Sequence, residues 1–173
     1  MAKLDAAGSL QWVQEISNGT DDVMVEDILQ TSDGGYALTG RSRFTQVRFK
    51  IIVIKLDALG AELWNFFYDQ DVGDQFAIPL AEATNGDLFI AGTESSAFGT
   101  PQGTRPFVVR LNSLGALVWA RTYDFWPIGA NHQAIQDSLW EPTTGNIYLI
   151  GGLDNNSFMV CAIDPTGALV LAR

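Results

Sequence analysis

KLDAAGSLQW, residues 3–12, recurs as KLDALGAELW at 55–64, RLNSLGALVW at 110–119 and AIDPTGALVL at 162–171. The corresponding first residues are 52, 55 and 52 positions apart. Self-similarity at a near-constant period marks a repeat architecture. Each copy reads as a hairpin, with turns Asp5-Ala6-Ala7-Gly8, Asp57-Ala58-Leu59-Gly60, Asn112-Ser113-Leu114-Gly115 and Asp164-Pro165-Thr166-Gly167. Asp or Asn at the first position can accept a bond from the backbone two residues on. Glycine at the fourth tolerates positive φ, and Pro165 stands where a type I turn favours proline.

A second anchor follows the first. It is a glycine-centred turn and a short apolar strand ending in glycine: SDGGYALTG at 32–40, TNGDLFIAG at 84–92 and TTGNIYLIG at 143–151. This is hairpin chemistry flanked by β-forming residues. It occurs three times, against four copies of the first anchor. The segments between anchors read as strands, four to a unit. Strand A spans 23–31, 76–83 and 133–140; strand B spans 36–40, 88–92 and 147–151. Strand C spans 50–56, 107–111 and 158–163; strand D spans 62–67, 117–122 and 168–171. Strand C is nearly continuous in apolar residues, as in Ile51-Ile52-Val53-Ile54, which suits a strand covered on both faces. No segment carries a sustained helical stripe.

Units of about 50 residues with four antiparallel strands are the signature of propeller blades. The expected fold is therefore all-β. It comprises three full β-propeller-type blades, at 22–67, 75–122 and 132–172, after an N-terminal half-blade hairpin at 1–16. Trp12, Trp64 and Trp119, with Leu171 in the last copy, are in register and are expected to fill the gaps between adjacent blades.

The pairing of K-L-D-x-x-G-x-x-x-W with T-S-D-G-G-Y-x-x-x-G resembles the β-propeller repeats of many secreted and surface-exposed bacterial proteins. The resemblance covers essentially the whole chain. It implies blade architecture and an extracellular or cell-surface setting, and it transfers no catalytic residue. The last hairpin departs most, with AID for KLD and leucine for tryptophan.

Propellers close with about four to eight blades, so three and a half leave the ring unfinished. Solitary hairpins are marginal in water, and open sheet edges invite another chain. The expectation is a homo-oligomer or filament, joined through Leu4, Leu10, Trp12, Val13, Leu169 and Leu171. A head-to-tail contact gives a ring if the rotation closes and a filament if it does not. A dimeric ring would hold six full blades with two half-blades left over, whereas a filament uses the hairpin at every junction; the reading leans to the filament. The alternative is a piece of a longer propeller.

The 173 residues are 47% hydrophobic and 11% aromatic, enough for a substantial core. A net charge of −10 argues against nucleic acid and anionic lipid as partners. No apolar run reaches the ~18 residues of a membrane helix. No signal peptide is read at the N-terminus, so a secreted protein would have lost its leader. Cys161, the single cysteine, lies in the apolar run SFMVCAID and reads as a buried small hydrophobe.

No enzyme is expected. His132 is the single histidine, which leaves neither a triad nor a His/Cys metal site. No cofactor is expected either. Calcium is the one alternative, from Asp21-Asp22 and from Asp69, Asp71 and Asp74, although D-Q-D-V-G-D lacks the distal bidentate Glu. Asp22 and Asp74 each precede the strand-B glycine by 18 residues and read as turn caps. The segment RSRFTQVRF at 41–49 reads as a long loop with Arg43 and Arg48 as a ligand or interface patch. Phe125 and Trp126, in an apolar connection, read as a carbohydrate-binding surface, a cap on the core or a contact with a partner chain. The functional expectation is a structural or interaction protein, with a carbohydrate-binding module as the alternative.

Overall fold

The computed structural model describes residues 1–16, 23–44, 48–69, 75–95, 104–123, 133–153 and 157–172. These form fourteen strands, and no helix occurs among the described residues. β1 (Ala2–Leu4) and β2 (Leu10–Val13) make a two-stranded hairpin. Sheet I is β3 (Val23–Gln30), β4 (Tyr36–Phe44), β5 (Arg48–Leu56) and β6 (Glu62–Tyr68). Sheet II is β7 (Gln75–Glu82), β8 (Leu88–Ser95), β9 (Thr104–Leu111) and β10 (Leu117–Thr122). Sheet III is β11 (Gln133–Glu141), β12 (Asn146–Leu153), β13 (Ser157–Ile163) and β14 (Leu169–Ala172). All three are antiparallel meanders in chain order.

The turn chemistry appears in each hairpin. Gly8, Gly60, Gly115 and Gly167 have φ of 80–84°, and each donates its N–H to the carbonyl of the first turn residue. Oδ1 of that first residue accepts two further amides, for example Ala7 and Ser9 on Asp5, and Thr166 and Ala168 on Asp164. Asp57 and Asn112 repeat the pattern. The turn carboxylates are thus structural acceptors.

The segment at 41–49, expected as a loop, extends strands instead. Arg41–Phe44 continues β4, and Arg48 and Phe49 begin β5. Arg41 and Arg43 both lie over the Phe49 ring, at 4.9 and 4.8 Å, and Arg41 also pairs with Glu26 at 2.9 Å. The arginine-rich segment reads as a loop patch, yet the stems and planes of Arg41 and Arg43 cover an aromatic ring, and pairing runs further. Ser95, Thr104 and Arg105 likewise lengthen β8 and β9.

The glycine closing strand B has a purpose that a turn motif does not disclose. Gly40 pairs with Val25, Gly92 with Ala77 and Gly151 with Ile135, and in every case the inner strand bulges immediately afterwards. A Cβ on Gly40 would overlap the Met24 carbonyl, and one on Gly151 the Ala134 carbonyl. The bulge brings backbone where a side chain would stand.

The sheets pack face to face in chain order. β7 lies against β3, β4 and β5 of sheet I, and β11 lies against β7, β8 and β9 of sheet II. Ile51, Val53, Ile90, Phe107 and Val109 fill the space between sheets I and II. Phe89, Val108, Ile147, Leu149, Met159 and Cys161 fill that between II and III. The smallest cluster, Leu38, Ile52, Ile54 and Leu56, gathers Met1, Ile16, Val23 and Tyr36 on the hairpin side of sheet I.

Candidate interaction surfaces

The junctions between units reuse one device. A large side chain on the last strand of one unit lies over the hairpin-turn glycine of the next, tryptophan at the first two junctions and Arg121, over Gly167, at the third. Trp12 covers Gly60, and a Cβ on Gly115 would come within 2.6 Å of the Trp64 ring. Trp119 donates its indole N–H to the Pro165 carbonyl at 3.0 Å. The turn of sheet III is held further by Arg110, which donates to the same carbonyl at 2.6 Å. Arg121 and Tyr123 both donate to the Gly167 carbonyl, at 3.1 and 3.0 Å. Further inter-sheet bonds lie nearer the inner strands: Leu80 N–H to Asp27 Oδ2, the Ser32 amide and hydroxyl to the Glu82 carboxylate, and Ile135 N–H to Thr93 Oγ1.

A cation on the third strand of sheets I and II ties each junction to its own turn. Lys55 bonds both oxygens of Asp33, at 3.0 and 2.8 Å, and Arg110 bonds Asp87 through Nε and Nη2. The Lys55 ammonium, with the Thr31 hydroxyl and the Gly35 amide, lowers the Asp33 carboxyl from 3.8 to about 2. Sheet III lacks this pair, since Ala162 stands opposite Leu171 where the other sheets place a cation opposite tryptophan.

Side-chain alternation identifies what sheet III turns outward. Ile147, Leu149, Met159 and Cys161 face sheet II, so Tyr148, Ile150, Phe158 and Val160 face away. Cross-strand partners share a face, which adds Leu139 opposite Tyr148, and Leu171 opposite Ala162. Leu139 is 64% exposed and Phe158 75%. At the same positions in the earlier sheets stand Ile51 and Val53, and Phe89, Ala91 and Val108; all are buried under the following sheet.

The N-terminal end is bare in the complementary sense. Trp12 and Lys3 face into the chain, onto Tyr36, with ring centroids 5.7 Å apart for the indole and the ammonium 5.6 Å from the ring. Trp12, expected at the self-association face, is therefore turned the opposite way. Leu4, Leu10 and Val13 are exposed, and Leu4 and Val13 lie on the side away from sheet I. Ile28, which pairs with Leu38 on the hairpin-facing side of sheet I, is also exposed. Leu169 is exposed and Leu171 half-buried.

The remaining expectations separate. Arg43 is exposed on β4, and Arg48 is the first residue of β5. Phe125, Trp126, His132, Asp21, Asp22, Asp71 and Asp74 lie outside the described residues. Asp69 pairs with Lys50. Among the described residues, no three His, Cys, Asp or Glu side chains gather as metal ligands. Cys161 is buried and free, and burial pushes its thiol up to about 12, which keeps it protonated. Two polar side chains escaped the reading of the sequence: the Tyr68 hydroxyl and both amide atoms of Gln75 are buried without hydrogen-bond partners among the described residues. Burial, and then the Glu94 charge, raise the Tyr68 hydroxyl to about 12. Polar types in a strand read as solvent-facing, so no signal in the sequence marks them.

No protein-family model matches this chain, and comparison with curated proteins finds no match.

Proposed function

We propose that this chain is a non-enzymatic structural module of β-propeller-type blades that assembles with further copies of itself, as a subunit of an extracellular filament or surface assembly. One observation carries the reading. Sheet III turns outward a face of Leu139, Tyr148, Ile150, Phe158, Val160 and Leu171, whose counterparts in sheets I and II are covered by the next sheet. A large contiguous apolar patch on a folded surface marks an interaction site. Repeat proteins bury each unit against its neighbours, and the face that sheet III turns away from sheet II is apolar rather than polar. The carboxylates support a structural role too, since Asp5, Asp33, Asp57, Asp87 and Asp164 serve turns and junctions. The resemblance to bacterial surface propeller repeats supports the extracellular setting.

Size-exclusion chromatography with light scattering tests the proposal. Species heavier than the 18.8 kDa chain, increasing with loading concentration and elongated under negative stain, are expected. A monodisperse monomer at every concentration contradicts it.

A further inference from the structure

Resting on that reading of self-association, we infer that the contact is heterologous and face to face. The side of the hairpin carrying Leu4 and Val13 seats on the outward face of sheet III of a second copy, over Phe158, Val160 and Leu171. The chain holds three worked examples of this contact, hairpin on sheet I, sheet I on II, and sheet II on III. In each, the forward face of one unit meets the backward face of the next. Leu4 occupies the position of Leu56, Leu111 and Ile163, which are 1%, 0% and 0% exposed beneath the preceding unit. Leu4 itself is 57% exposed.

The turn glycines agree. Gly60, Gly115 and Gly167 are covered by Trp12, Trp64 and Arg121 of the preceding unit, while nothing stands within 4 Å of a Cβ at Gly8. On sheet III, Leu171 holds the tryptophan position opposite Ala162 and is half-buried. A head-to-tail copy brings the bare turn of Gly8 under Leu171. Two-fold packing of sheet III on sheet III would leave Leu4 and Val13 in water, and strand addition at an edge would leave both faces uncovered. Leucine for tryptophan, and Ala162 for the cation, make this joint weaker than the internal ones, as a reversible contact between copies requires.

Complementation of two blocked chains tests the geometry. One carries Leu4→Asp and Val13→Asp; the other carries Phe158→Asp and Leu171→Asp. Each alone is expected to be monomeric, and an equimolar mixture to form a dimer that grows no further, because one intact face of each kind remains. A mixture that stays monomeric beside an assembling wild type overturns this contact and leaves self-association standing, as does either variant assembling like wild type. A monomeric wild type overturns the underlying reading. Leu171→Trp guards against misfolded variants, since it restores the internal pattern. It should lower the dissociation constant several-fold, and an unchanged or raised constant counts against the contact.

Discussion

Asp33 and Lys55 show how one ion pair supports a turn. Lys55 is buried, yet its ammonium meets both oxygens of Asp33 and the Leu56 carbonyl. The same carboxylate accepts the Thr31 hydroxyl and the Gly35 amide. A carboxyl held at about 2 when folded and near 3.8 when unfolded binds its proton more weakly in the native state. Its stabilisation is complete above about pH 5 and is lost as pH falls through 4 towards 2. The Asp33 side chain is 58% exposed, so solvent screening reduces the gain to about 0.5–1 kcal/mol. Asp33→Asn should therefore melt about 2 °C below wild type at pH 6. The gap should close near pH 2, and thermal denaturation followed across that range by circular dichroism checks it. A gap that persists unchanged at pH 2 would assign the loss to the turn rather than to the charge.

At the level of strands and turns, the junction is the unit of stability. Trp64→Ala removes the half-buried ring over Gly115 and should cost about 2–3 kcal/mol in chemical denaturation. Arg110→Met strands Asp87, whose side chain is only 9% exposed, and should cost about 3–5 kcal/mol. Adding Asp87→Asn to that variant should recover part of the loss, because the uncompensated charge is gone. No recovery would mean that the bonds to the sheet III turn, rather than the buried charge, dominate. The hairpins were legible in the sequence because their chemistry is local: Asp or Asn first, Gly fourth, apolar residues on either side. Strand identity followed for the same reason, and so did the tryptophans as fillers between units. Strand length did not, because Arg41 and Arg43 look like loop residues until Phe49 is placed beneath them. The bulge opposite Gly40, Gly92 and Gly151 was invisible too, since a glycine's missing Cβ does not announce which backbone approaches it. Which way Trp12 points depends on a neighbouring sheet, and Gln75 and Tyr68 are buried by packing that no local pattern reports.

For the whole molecule, the repeat both builds the core and leaves apolar residues exposed. Every sheet has a forward and a backward face, and exposed apolar residues stand on the outward sides of the hairpin and of sheet III. Copies carrying a net charge of −10 repel one another, so assembly through apolar faces should strengthen when salt is raised from about 10 mM to 150 mM and screening shortens to about 8 Å. Sedimentation velocity at both ionic strengths would show it, and weaker assembly at the higher salt would point to ion pairs as the joint. The central claim is that a second copy covers the outward face of sheet III. Hydroxyl-radical footprinting of the wild-type chain at dilute and concentrated extremes tests it most directly. Phe158 should be labelled when dilute and protected when concentrated, while Phe89 and Phe107, buried within the chain, stay protected throughout. Equal labelling of Phe158 at both extremes would contradict the account.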